Sequence, residues 1–236
     1  MTRDLAATDA YLRETSAQIV EVRDDGVVLD QTVFYSRGGG QPGDTGGLAW
    51  EGGTATVTDT FKRGGVAVHQ LSGDSPPVGA SVTASIDWER RYRLMRTHTA
   101  LHCLSAIIWR DFDAKVTGGN MEPGSARMDF ELDSISMEFG RQVEEALNAA
   151  LAEGHPVTVQ FIPRADALED PDLIRTKVNL LPDFIDPIRV IDIAGLDRQA
   201  DGGTHVANTT EVGTVRVTKT ESKGKGNKRI RIQLAG

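Results

Sequence analysis

Two short segments of this chain carry metal-ligand chemistry in their residue types and spacing. The first is His98-Thr99-Ala100-Leu101-His102, where two imidazoles stand four residues apart on a stretch of helical periodicity. Residues i and i+4 share a helix face with Cβ atoms about 5 to 6 Å apart, so both rings can reach one divalent ion. The second is Asp201-Gly202-Gly203-Thr204-His205, again two candidate ligands four apart, in a glycine-rich turn that can fold both side chains toward one point. A lone histidine pair is as much at home on a helix that binds nothing. Two separated pairs are different, because together they offer the four donors that a tetrahedral zinc ion takes. Three of the five histidines fall in these segments; His69 sits in a strand pattern and His155 at a helix stop before Pro156. Cys103 follows His102 directly and so points about 100° round the helix, which suits a small buried residue better than a ligand.

A third segment is the run Tyr35-Ser36-Arg37-Gly38-Gly39-Gly40-Gln41-Pro42-Gly43-Asp44-Thr45-Gly46-Gly47. So many glycines serve positive φ or close approach of backbone to a ligand. Flexible linkers seldom have Phe34 and Tyr35 on one side and Trp50 on the other, so the run reads as a binding loop. It is not a phosphate-binding loop of the Walker type, since no Gly-Lys-Ser or Gly-Lys-Thr follows.

The elements that must position these segments differ between the two ends of the chain. Up to about residue 88 the pattern is short strands: 18–22 and 26–29 around the turn signal Asp24-Asp25-Gly26, then 54–58, 66–70 and 80–86. This predicts a small β-barrel-like N-terminal domain over 1–88 that carries the Gly-rich loop. From 87 to 109 the pattern is helical, with Asp87 or Thr97 as candidate N-caps. A turn at Gly118-Gly119-Asn120 then leads into an alternating strand, Ala126 to Leu132. An amphipathic helix follows through Phe139, Val143, Leu147 and Leu151, stopped by Gly154 and Pro156. Strands are expected at 157–162, 188–193, 212–217 and 229–234. The prediction is an α+β fold in which 89–236 forms a metal-binding domain with a mixed or antiparallel sheet and helices packed on it.

Composition sets the frame. The chain has 236 residues, 39% hydrophobic and 25% charged, and no apolar run approaches the length of a bilayer span, which excludes the disordered and membrane classes. The N-terminus lacks a basic-then-apolar leader and there is one cysteine, so a reducing, cytoplasmic setting is expected. The net charge is −8, yet 216–231 holds Arg216, Lys219, Lys223, Lys225, Lys228, Arg229 and Arg231 against Glu221 alone. That end could meet phosphate, or the bases could simply keep an edge hairpin unpaired and in solution. Glu122, Asp129 and Glu131 read as solvated strand and turn charges without a catalytic role.

Arg96-Thr97-His98-Thr99-Ala100-Leu101-His102 together with Gly202-Gly203-Thr204-His205-Val206 resembles the editing domain of alanyl-tRNA synthetase and its free-standing AlaX relatives. The loop from Phe34 to Gly46 resembles the Gly-Gly-Gln loop of the longer AlaX type, and Lys223-Gly224-Lys225-Gly226 with Arg229-Ile230 resembles the family's closing hairpin. The resemblance covers nearly the whole chain. It implies hydrolysis of the ester that joins a wrong amino acid, serine foremost and glycine as well, to the acceptor end of tRNA-Ala, with zinc held by the two-histidine motif and a later Cys-x-x-x-His pair. Here Asp201 stands at the position of that cysteine. The implied ligand set is therefore His98, His102, His205 and Asp201, and a hard carboxylate in place of a soft thiolate widens the choice to other divalent metals. The resemblance further implies that Gln41 hydrogen-bonds the substrate or the attacking water and that Thr117 contacts the misactivated side chain, with Thr99 and Thr204 as alternative hydroxyls. Arg37, Lys223, Lys225 and Lys228 are the candidates for tRNA backbone contact. Two other functions remain open: a catalytically weak tRNA-binding module, suggested by Asp201, and a metal-dependent esterase of small aminoacyl esters, suggested by the acidic net charge. The protein could act as a monomer or a homodimer.

Overall fold

The computed structural model describes residues 2–170, 173, 176 and 185–236. The chain divides into two compact units, Met1–Arg93 and Leu94–Gly236.

The first unit contains β1 (Arg3–Asp4), β2 (Glu14–Arg23), β3 (Gly26–Leu29), β4 (Gln31–Thr32), β5 (Gly46–Trp50), β6 (Gly53–Arg63), β7 (Val66–Gly73) and β8 (Ser81–Ile86). Six of these close a barrel in the order β2-β3-β7-β6-β5-β8, every neighbour pair antiparallel. Period-two alternation turns Ala17 and Ile19 of β2, Ala55 and Val57 of β6, and Val82, Ala84 and Ile86 of β8 inward, where Phe34 and Leu48 complete the core. Closure pairs each of these six strands on both sides, and β1 and β4 form a separate two-stranded parallel sheet. The Asp24-Asp25-Gly26 turn joins β2 to β3 as the sequence suggests. Gly26 is required there, because a Cβ would stand 2.2 Å from the His69 carbonyl oxygen.

Strand β5 lies partly inside the run expected to be loop. Gly46 faces Ile86 across β8, and a Cβ on it would meet the Ser85 carbonyl at 2.1 Å. The glycine therefore permits close strand packing in the barrel wall, a use of glycine that the sequence cannot distinguish from a turn.

The helix α1 (Trp88–Phe112) begins in the first unit and runs into the second, with Asp87 accepting from the Arg90 N–H as its N-cap. Thr97 is not a cap but an interior helical residue whose hydroxyl accepts from the Gly124 N–H. The second unit continues with β9 (Val116–Glu122), β10 (Ser125–Phe130), α2 (Met137–Ala152), β11 (Val157–Ile162), α3 (Arg164–Glu169), β12 (Ile188–Ile193), β13 (Asp197–Ala200), β14 (Val215–Ser222) and β15 (Lys228–Leu234). Among the described residues these make two antiparallel sheets, β14-β15-β10-β9 and β11-β12-β13. Ser136 caps α2, whose Val143, Leu147 and Leu151 are buried, and Glu144 and Asn148 tie the helix to β14 by accepting from Val217 and Val215 N–H.

Two local expectations change. Gly118 and Gly119 lie within β9 and the turn is Pro123-Gly124, where Gly124 has φ +87°. The strand expected from Val212 starts at Val215, because Thr209–Val212 is a 3-10 turn closed by an Asn208/Glu211 capping box and ended by Gly213 at φ +74°.

Candidate metal centre

α1 supplies His98 and His102 from one face, one turn apart, with ring centroids 5.2 Å apart. The loop after β13 brings His205 to 4.4 Å from the first ring and 4.7 Å from the second. Asp201 completes the group: one ligand atom from each of His98, His102, Asp201 and His205 can be chosen so that all lie within 4.8 Å of one another. His98 Nε2 is 3.6 Å from Asp201 Oδ1, and His205 Nε2 is 3.1 Å from Asp201 Oδ2. All three histidines are buried.

The loop holds its shape through local bonds. Asp201 N–H donates to the Arg189 carbonyl at 3.2 Å, which prolongs the β12–β13 ladder by one residue. The Arg189 guanidinium returns to the Asp201 carbonyl at 2.8 Å. Gly203 N–H donates to Asp201 Oδ2 at 2.6 Å, an Asx-type turn that aims the carboxylate. Val206 N–H donates to the Thr99 hydroxyl, which also meets His205 Nδ1 at 3.2 Å. On the other side of the cluster His102 Nδ1 meets Asp197 Oδ2 at 2.9 Å.

Protonation suits a cation. Burial, with His102 and Arg189 nearby, pushes His98 down to about 4 despite Asp201. Burial together with His98 likewise holds His205 well below the ordinary imidazole range. Burial alone would raise Asp201, but His98, His205 and His102 outweigh it and keep the carboxyl well below its usual value. Two neutral imidazoles and an ionised carboxylate, with the second ring nitrogens of His102 and His205 engaged by Asp197 and Thr99, form a donor set that fits a divalent ion of the zinc class.

The structure gathers the four expected ligands and places the other candidates individually. Gln41 is buried rather than solvated, at the end of a two-residue turn in which Gly38 and Gln41 exchange backbone hydrogen bonds of 3.1 and 2.9 Å. Gly39 and Gly40, at φ +57° and +84°, make that turn possible. Thr117 is exposed on β9 and donates to Asn227 Oδ1 at 3.0 Å. Thr99 and Thr204 are fully buried. Cys103 is buried and its thiol is pushed up by burial, as expected of a packing residue.

Several charges have structural partners. Arg37 is exposed but pairs with Asp59 at 2.6 Å beside Phe61. Lys228 is buried, with its ammonium donating to the Gly224 carbonyl at 2.9 Å, so it holds the hairpin turn. Asp129 is not solvated: Arg229, directly opposite it across β10 and β15, clamps it at 2.7 and 2.8 Å and lowers its carboxyl. Glu221 is taken by Lys219 and Arg231 and lowered to about 2 by both. Much of the basic tail is thus spent within its own sheet, while Lys223 and Lys225 stay exposed.

The supporting residues Asp197, Gln199 and Arg189 escaped sequence reasoning. A signal existed: Asp197, Gln199 and Asp201 alternate, so a strand there turns all three to one face.

Comparison with known proteins follows the same division. Residues 7–90 match the family model described as tRNA synthetases class II (A), and residues 188–231 match that of the threonyl and alanyl tRNA synthetase second additional domain. The chain is 38% identical to the alanyl-tRNA editing protein AlaX-M of Saccharolobus solfataricus, over 98% of each chain. It is 36% identical to the AlaX-M of Methanosarcina barkeri, over 99% of each. It is also 38% identical to the alanine–tRNA ligase of Pyrobaculum arsenaticum, with 93% of this chain matching 25% of that enzyme.

Proposed function

The chain belongs to the alanyl-tRNA editing protein family, and on that premise we propose that it is a trans-editing deacylase that hydrolyses mischarged tRNA-Ala, Ser-tRNA-Ala foremost and Gly-tRNA-Ala as well. The observation that carries the proposal is the convergence of His98, His102, Asp201 and His205 from two distant segments.

These four residues would hold a divalent ion, zinc by preference, one per chain. When bound, the ion supplies Lewis-acid polarisation, or a point of attachment for the substrate's amino group and sugar. The protein's own part is to present two neutral imidazole donors and one carboxylate, and to bury the imidazoles away from bulk water. Gln41 is assigned the hydrogen bond to the substrate or the attacking water. Thr117, whose oxygen keeps acceptor capacity while its proton goes to Asn227, is assigned the contact to the serine hydroxyl. Discrimination against alanine would then follow from a polar partner that alanine cannot satisfy. Lys223 and Lys225, with Arg37, are assigned to the tRNA backbone, and Lys228 to the hairpin that carries them.

The test is release of labelled serine from Ser-tRNA-Ala beside Ala-tRNA-Ala, with metal content measured on the same samples. The wild type is expected to release serine and spare alanine. The His98→Ala, His102→Ala double variant is expected to lose both metal and activity. A wild type that binds tRNA but releases nothing with zinc or other divalent ions supplied is a binding module. A wild type whose turnover is insensitive to salt and to the tRNA body is an esterase of small aminoacyl esters.

A further inference from the structure

Two of the three imidazoles in the cluster spend their second ring nitrogen on residues outside it, and those partners differ in kind. His102 Nδ1 lies 2.9 Å from Asp197 Oδ2. The Asp197 side chain is 0% exposed, and Gln199 Nε2 donates to both of its oxygens, at 2.8 and 3.1 Å, while also lying 3.5 Å from the Ser105 hydroxyl. His205 Nδ1 instead faces the Thr99 hydroxyl at 3.2 Å, and that same oxygen accepts from the Val206 N–H at 3.3 Å.

The chemistry of the two partners is unequal. A carboxylate only accepts, so the hydrogen bond to Asp197 requires the proton on His102 Nδ1 and leaves the Nε2 lone pair facing the cluster. A hydroxyl both donates and accepts. Thr99 therefore satisfies either tautomer of His205: when the Thr99 hydroxyl donates to Nδ1, the ring proton sits on Nε2 and donates to Asp201 Oδ2, 3.1 Å away; when the ring proton sits on Nδ1 and donates to the Thr99 oxygen, Nε2 offers its lone pair to a cation.

We propose that Asp197, clamped by Gln199, is a positioning residue that locks His102 in its metal-ready tautomer, whereas His205 is held in a switchable one that changes when an ion enters. The proposal rests on the metal-binding reading of the cluster. Outer-sphere carboxylates of this type fix ring orientation and raise ligand basicity, and their loss typically costs about 10- to 100-fold in metal affinity. Asp197 and Gln199 alternate on β13, and Asp201, one residue past the strand and bonded to Arg189 as its ladder continues, follows the same alternation, so the clamp and a candidate ligand are two to four residues apart.

The first arm of the test needs no substitution. In the metal-free full-length protein labelled with ¹⁵N at histidine, long-range ¹H–¹⁵N spectra should show His102 protonated at Nδ1 only and His205 protonated at Nε2. After Zn²⁺ addition both should carry the proton on Nδ1. His102 found with its proton on Nε2 overturns the proposal. The second arm measures Zn²⁺ affinity by chelator competition and the Co²⁺ absorption spectrum. Asp197→Asn should weaken Zn²⁺ binding about 10- to 100-fold and shift the Co²⁺ bands, Asp197→Glu should restore part of the affinity, and Thr99→Val should cost less than Asp197→Asn. The reverse order, or an Asp197→Asn protein that is less stable but has wild-type affinity and spectrum, overturns the proposal and leaves the metal site standing. If the wild type binds neither ion, the metal reading itself has failed, and the tautomer of His102 in the metal-free protein still decides the role of Asp197.

Discussion

The two compact units each contain a glycine-bearing loop tied to regular structure by an arginine and an aspartate, and the two ties are used differently. In the first unit Asp44 Oδ2 accepts from the Tyr35 N–H at 2.7 Å and from Arg91 Nε at 2.8 Å, and it also contacts Arg91 Nη2. The rest of that guanidinium goes to the carbonyls of Ala10 and Val33, and the pair is sealed, at 0% and 1% side-chain exposure. In the second unit Arg189 places its 2.8 Å hydrogen bond on the Asp201 carbonyl and stays 3.9 Å from the carboxylate. One aspartate side chain is consumed in fixing its loop. The other gives its backbone carbonyl to the arginine, so that its carboxylate, turned by the Gly203 N–H, faces His98 and His205. An arginine thus serves either to close a structure or to hold a ligand in place, according to which oxygen of the aspartate it takes.

The largest expected effect tests the closed tie. Arg91→Met leaves the Asp44 carboxylate buried without its counter-charge, and breaking a sealed pair in this way costs about 3 to 5 kcal/mol, read as a fall in the unfolding midpoint. Metal binding by the other unit should persist wherever the variant is folded. Arg189→Met removes one charge-assisted hydrogen bond, about 1.5 to 3 kcal/mol, but should also lower metal affinity about tenfold because Asp201 is no longer aimed. If Arg189→Met reduces stability and leaves affinity intact, the second tie is no different from the first.

The same contrast extends to histidine. His69 in the barrel is pushed down to about 4 by burial, as is His98, yet it is absorbed by the fold: Nε2 meets the Thr32 hydroxyl at 2.8 Å and Nδ1 the Val27 carbonyl at 3.2 Å. Its folded value lies below the ordinary 6.5, so the stability it contributes is complete above that pH and is lost as pH falls toward 4. By pH 5 the loss is about 2 kcal/mol. The difference in unfolding midpoint between pH 7 and pH 5 should shrink in His69→Gln relative to wild type. An unchanged difference would mean that His69 does not titrate in this range.

These cases show what was legible in the residues. The i, i+4 histidines and the glycine-rich Asp–His turn carry their geometry locally, so the four donors could be named and the structure gathers them. Barrel strands announced themselves by alternation. β5 did not, because Gly46 is glycine for the sake of a close neighbour, and closeness is a property of the fold. Asp129 and Lys228 looked like surface charges since nothing local says that Arg229 and the Gly224 carbonyl stand opposite them. Asp197 was hidden for the same reason, and its alternation with Gln199 and Asp201 becomes informative only once the segment is known to be a strand.

The smallest expected effect separates bases spent on the fold from bases kept for a partner. Lys223 and Lys225 are exposed on the β14–β15 turn, whereas Lys228 is buried and bonded to it. Each phosphate contact contributes about 0.7 to 0.9 to the slope of log affinity against log salt. Lys223→Ala and Lys225→Ala should each therefore reduce the slope for tRNA binding by about that amount, with little change in stability. Lys228→Ala should leave the slope as it is and lower the unfolding midpoint, because the turn carbonyl loses its donor. Binding measured between about 50 and 200 mM salt distinguishes these outcomes. A slope that falls with Lys228 and not with its neighbours would mean that the ammonium leaves Gly224 for the phosphate, and that the hairpin rearranges when tRNA binds.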